Sequence, residues 1–141
     1  MLALMFTLLW LAVGFVLGAV YVSYARSRRS DTKRVFGMGL LIAALIYLAF
    51  VFRASDPLFW AVVETAGVVL FGLLGSLGFK GSDWWLVAGW AVHPVWDLGL
   101  HYVGPGGAFV PAWFAIACVS FDLLVAAYIA LAAFRRANPS M

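Results

Sequence analysis

Both histidines of the chain and one aspartate stand in a single short run, Trp90-Ala91-Val92-His93-Pro94-Val95-Trp96-Asp97-Leu98-Gly99-Leu100-His101. A spacing of four places His93, Asp97 and His101 on successive turns of roughly one helical face. Two further carboxylates, Glu64 and Asp122, lie inside other apolar stretches. Imidazole and carboxylate together support two kinds of chemistry. They ligate zinc or non-haem iron through nitrogen and oxygen at about 2.0 to 2.2 Å, or they exchange protons with a substrate as general acid and base. For a metal, the spacing sets a limit. His93 and His101 are eight residues apart, about 12 Å along a straight helix, so one ion reaches both imidazoles only if a kink at Pro94 shortens the gap. Asp97 with one histidine, completed by Glu64 or Asp122, is the easier ligand set.

The surroundings of these groups are hydrocarbon-like. Of 141 residues, 66% are apolar and only 11% charged, less than half the roughly 25% of a soluble domain. The charges are bunched into short segments instead of being spread along helical faces, which excludes a soluble fold. Crossing a bilayer takes about 20 apolar residues in a helix. Five segments qualify: Leu2 to Tyr24, Val35 to Phe52, Leu58 to Phe79, Trp84 to Val103 and Pro111 to Phe134. The expected fold is therefore all-α, a polytopic bundle of about five transmembrane helices forming a single domain over residues 1–134, with a frayed polar tail from Arg135 to Met141.

Alternating spans put the basic loop (Arg26, Arg28, Arg29, Lys33, Arg34), Lys80 and Arg135-Arg136 on one side. Eight of nine Lys and Arg then oppose Arg53 alone, so the positive-inside rule predicts the N-terminus out and the C-terminus in. The first segment lacks a basic n-region, exceeds the length of a signal's apolar core and meets its first positive charge only at Arg26, so it is expected to remain in the mature protein. The basic residues flank apolar spans, a pattern of membrane topology, and exclude nucleic acid as a partner. Cys118 is the single cysteine, and no disulfide framework exists.

Gly14 and Gly18 in the first span, and Gly67, Gly72, Gly75 and Gly78 in the third, permit close helix approach. Trp60, Trp84, Trp85 and Trp113 fall at span ends and read as interfacial anchors. Trp90 and Trp96 lie deeper, as candidate pocket walls, together with Tyr47 and Cys118.

An ionisable group at the bilayer centre costs at least about 2.5 kcal/mol, so such groups persist where they face a cavity or a bundle interior. Counting about 1.5 Å per residue from the outer end of each span, His101, Glu64, Asp97, His93 and Asp122 all fall between the outer interface and the midplane. Depths that coincide across three helices predict one outward-biased site with all five residues as catalytic groups or metal ligands. In that site Asp97 and His93 are central, His101 and Glu64 lie nearer the mouth, and Asp122 completes the set. The expected function is an enzyme acting on a lipid-soluble substrate, an isoprenoid, sterol-like or acyl lipid, by acid-base or metal-assisted chemistry, with zinc or iron as the cofactor in the second case. The alternatives are a metal or proton transporter, and a structural subunit of a homo-oligomer or larger membrane complex.

The run Trp90 to His101, followed by Phe109-Val110-Pro111-Ala112-Trp113 and Cys118-Val119-Ser120-Phe121-Asp122, resembles an uncharacterised family of small bacterial multipass membrane proteins. That resemblance implies a cell inner membrane location and brings no activity, substrate or cofactor with it. At the level of architecture alone, the expected bundle is also similar to sterol isomerase and emopamil-binding proteins, without a shared motif.

Overall fold

Side-chain caps fix where two helices begin. The Asp56 carboxylate accepts from the Phe59 amide at 3.1 Å just ahead of Pro57, whose missing N–H is harmless in a first turn. Ser82 Oγ accepts from the Trp84 amide at 3.3 Å in the same way. In the computed structural model, which describes residues 1–138, five α-helices follow one another. They are α1 (Leu2–Ser27), α2 (Thr32–Leu48), α3 (Pro57–Lys80), α4 (Asp83–Trp96) and α5 (Ala112–Ala137). Tight 3-10 turns at Val51–Arg53 and Pro105–Ala108 and a π-helical turn at Asp97–Tyr102 complete the chain, with no strand among the described residues.

Four of the helices, α1, α2 with its 3-10 extension to Arg53, α3 and α5, are long and apolar enough to cross a membrane. The fourth expected span departs from the straight helix read from its spacing. Its α-helical part has only 14 residues and continues into the six-residue π-helical turn. The expected frayed tail is also corrected. Arg135 and Arg136 belong to the last turn of α5, where positive charge complements the helix dipole, and Arg136 pairs with Asp83. The remainder of that tail, residues 139–141, lies outside the described residues.

The helices pack in the order α1, α5, α4, α3, α2, and α1 touches α2 only sparingly. Glycines allow the two closest approaches. Gly14 faces the backbone of Ala117, and Ser120 Oγ donates to the Leu11 carbonyl at 2.7 Å beside it. Gly37 and Gly75 face each other's carbonyls across α2 and α3, so a side chain on either one meets backbone. At one end of the bundle Lys33 Nζ lies 2.9 Å from Asp83 and donates to the Gly81 carbonyl at 2.9 Å, and Arg136 reaches the same carboxylate. This clamp ties the α1–α2 loop, the α3–α4 turn and the end of α5 together.

Two apolar clusters divide the interior. Toward the clamp, Leu40, Phe71, Leu86, Trp90 and Val125 are fully buried, and the Trp90 indole donates to the Phe36 carbonyl at 3.2 Å. Toward the other end, Tyr47, Val51, Trp60, Phe109 and Val110 form a second cluster. The buried ionisable groups lie between the two.

Packing at the paired glycines is open to a direct test. Gly75→Leu should lower stability by about 1 to 3 kcal/mol or more, as overpacked cores do. Gly99→Ala, where an added Cβ meets no atom within 4 Å, should be neutral or slightly stabilising. Thermal unfolding of both variants in detergent checks the contrast, and equal effects would show that the α2–α3 contact is not tight.

Candidate functional site

Pro94 has no amide proton, so the Trp90 carbonyl loses its helical partner one turn before the α4 helix changes pitch. After Trp96 the helix widens to i→i+5 bonding, as in the Val103 amide to Leu98 carbonyl bond at 2.9 Å. Such π turns inside helices occur often at functional sites. Here the turn carries Asp97 and His101, and both are completely buried.

The five ionisable groups foreseen from the sequence are all buried, and they divide into two sets. In the first, His93 Nδ1 donates to Asp122 Oδ2 at 2.9 Å and lies 3.3 Å from Asp97 Oδ2. His93, Asp97 and Asp122 each offer a donor atom within 4.8 Å of the others. In the second set, His101 Nε2 and Glu64 Oε1 are 3.2 Å apart, but too poorly aligned for a hydrogen bond. Tyr47 joins the two: its ring stacks on His101 at 4.4 Å between centroids and sits 6.1 Å from His93.

Aromatic rings wall both sets. Phe71 stands edge-on to His93 with centroids 4.6 Å apart. Trp60 and Phe109 each lie 5.9 Å from the His101 ring. Gly106, in the 3-10 turn before α5, lies so close to His101 Nδ1 that a Cβ there would collide with the ring. One expectation changes as a result. Trp60 is no interfacial anchor, because it is buried against His101 and Phe109. Trp60, Phe109 and Gly106 pack against the His101 end of the site. Trp60 was detectable, standing four residues before Glu64 on the same face of α3, with Phe71 seven residues beyond Glu64. Nothing in the residue pattern pointed to Gly106 and Phe109, whose positions follow from the course of a loop.

The foreseen wall residues are placed differently from one another. Tyr47 sits within the site. Trp90 and Cys118 line an apolar cavity of about 490 Å³ among α1, α2 and α5, in the gap left by the sparse contact of α1 with α2. Asp122 lies on the wall of that cavity and so connects it to the His93 set. Trp96 packs instead between α3 and α4, over Gly67 and edge-on to Phe71, and supports the ring that contacts His93.

Most polar atoms of the site lack partners. The Tyr47 hydroxyl, Glu64 Oε1, His93 Nε2, both Asp97 oxygens and both His101 nitrogens are buried without a hydrogen bond. Outside the site, only Trp10 Nε1 shares that condition among the described residues. Buried polar atoms are otherwise paired almost without exception, so this concentration of unpaired atoms sets the site apart from the rest of the interior. Comparison with family models, curated proteins and solved structures finds no match for the chain, and the reading of the site rests on its geometry.

Two aspartates in one cluster should respond to substitution in opposite directions. Asp122→Ala removes the acceptor of the His93 hydrogen bond and should cost about 1.5 to 3 kcal/mol. Asp97→Asn keeps the shape, removes a buried charge with no hydrogen bond, and should leave stability unchanged or raise it by about 1 kcal/mol. Unfolding in detergent with a chelator present measures both, and a larger loss for Asp97→Asn would make Asp97 a structural partner.

Proposed function

We propose that the chain is an inner-membrane enzyme of five spans whose His93, Asp97, Asp122, His101 and Glu64 act on a lipid-soluble substrate admitted between α1 and α2. One observation carries the reading: a cluster of buried, largely unpartnered acid and base groups adjoins an apolar cavity, and Asp122 belongs to both. A cavity of about 490 Å³ is within the size range of small-molecule sites. Its lining of Trp10, Leu17, Ile46, Trp113, Phe114 and Phe121 suits an isoprenoid, sterol-like or acyl chain. With the chain's end in the cavity, Asp122 and His93 are the first acid-base pair it meets, and the faces of Trp90 and Phe121 are available to a developing positive charge.

The five-span reading, N-terminus out, rests on the same charge asymmetry as before and on the clamp. Lys33, Asp83 and Arg136 meet at one end, so α1, α3 and α5 finish where α2 and α4 begin. That end also carries eight of the nine basic residues of the chain. A role in structure alone is disfavoured because a network that only held helices together would satisfy its own polar atoms. A proton or metal path across the membrane is disfavoured by the buried apolar layer of Leu40, Phe71, Leu86, Trp90 and Val125, which offers no ionisable group between the site and the clamp.

The test is untargeted. Full-length protein in nanodiscs is incubated with a bacterial lipid extract, and the extract is profiled by mass spectrometry. At least one lipid-soluble species should be converted, with the rate falling about 100-fold or more in His93→Gln, as for loss of an acid-base group. Conversion should also be blocked by Ala117→Phe, which fills the cavity that Ala117 lines. No converted species, or equal conversion by wild type and His93→Gln, would refute the enzyme reading.

A further inference from the structure

The geometry points to a divalent transition-metal ion held by His93 Nδ1, Asp97 Oδ2 and Asp122 Oδ2. This inference stands independently of any reaction on a lipid, since an ion bound there is measurable without substrate.

The spacing of the donors is the first argument. An ion with ligand atoms at about 2.1 Å holds neighbouring donors about 3.0 Å apart in an octahedral shell and about 3.4 Å apart in a tetrahedral one. The Nδ1 to carboxylate separations are 2.9 and 3.3 Å. Side chains from α4, the π-helical turn and α5 thus place the nitrogen at ion-sharing distance from both carboxylates, with all three donors within 4.8 Å of one another.

Charge is the second argument. Two carboxylates face a single imidazole, and each of the three side chains is at least 98% buried. The lysine and arginine ion pairs of the described residues all go to Asp83 at the clamp, so no Lys or Arg serves this cluster. With both aspartates ionised and His93 protonated, the set carries a net charge of about −1 in a medium where an uncompensated charge is costly. A divalent ion bound to a neutral imidazole and two carboxylates makes the sum zero.

The unpartnered atoms are the third. Both oxygens of Asp97 lack hydrogen bonds although the residue is fully buried. An imidazole nitrogen with two carboxylates and no thiolate matches zinc, manganese or iron(II) in preference to softer copper(I). Three protein ligands are the number found in catalytic zinc sites, which keep a position open. Asp122 lies on the cavity wall, so the cluster borders the cavity on that side. Glu64 and His101 form the separate pair beyond Tyr47 and are not ligands in this assignment.

The test uses the purified full-length chain, stripped with a chelator and then given zinc alone. About one zinc per chain should be retained after desalting, measured by elemental analysis. Asp97→Asn and Asp122→Asn should each weaken zinc binding at least about tenfold, while Glu64→Gln binds as wild type does. Cobalt(II) in place of zinc should give a visible spectrum of a nitrogen and oxygen site, lost in the same two variants. Should either variant fail to fold, the wild type decides: zinc should raise its Tm by several degrees over the stripped protein. No retained zinc, no rise in Tm, or unchanged binding in both aspartate variants overturns the assignment. Equal loss in Glu64→Gln also overturns it, by placing the ion elsewhere.

Discussion

The cost of an unpaired ionised group in hydrocarbon governs this molecule. Asp97, Asp122, Glu64, His93 and His101 are each buried to within a few per cent of completeness. Every one must therefore be compensated by a neighbour, by an ion or by remaining neutral. Their neighbours compensate them only in part. His93 serves Asp122 with a hydrogen bond and stands 3.3 Å from Asp97, and His101 approaches Glu64 without aligning to it. The rest of the fold can be understood as the apparatus that holds this partly compensated set in place, between Leu40, Phe71, Leu86 and Trp90 on one side and Trp60, Phe109 and Gly106 on the other.

That apparatus depends on a few backbone choices. The glycines at 37 and 75 bring α2 against α3, and these two helices carry the Tyr47 ring that stacks on His101 and the Glu64 carboxylate at its Nε2 edge. Gly14, meeting Ala117, brings α1 along α5 and leaves α1 nearly free of α2. The cavity follows from this second approach, since a tighter α1–α2 contact would close it over Asp122 and Cys118. Close packing at two interfaces and loose packing at a third thus belong together, with the loose side beside Asp122.

What the residue pattern disclosed follows the same physics. Hydropathy located the helices to within a few residues, because twenty apolar residues in succession leave little freedom of interpretation. Burial of the five ionisable groups was legible for the same reason. Their division into a triad and a pair was not, since it depends on which carboxylate each imidazole meets across helices, and spacing within one helix says nothing of that. The π-helical turn was also hidden. The spacing through His101 fits a regular 3.6-residue helix, and only Pro94 signals that the helix changes course. Trp60 illustrates a different failure: its closeness to a span end outweighed the four-residue spacing to Glu64, and burial against His101 shows the second signal to be the stronger.

Asymmetry between the two aspartates connects structure to chemistry most directly. Asp122 has a hydrogen-bonded partner and a place on the cavity wall, so its position is fixed and it is the carboxylate a guest in the cavity can touch. Asp97 has neither, and its oxygens end between His93 and the Tyr47 ring without a bond. Its ion pair is with His93, one turn earlier on the same helical run, so it adds little to holding one helix against another. At the first residue of the π-helical turn it stands 3.3 Å from His93 with both oxygens free of hydrogen bonds, so the cluster keeps acceptor capacity that its own groups do not use.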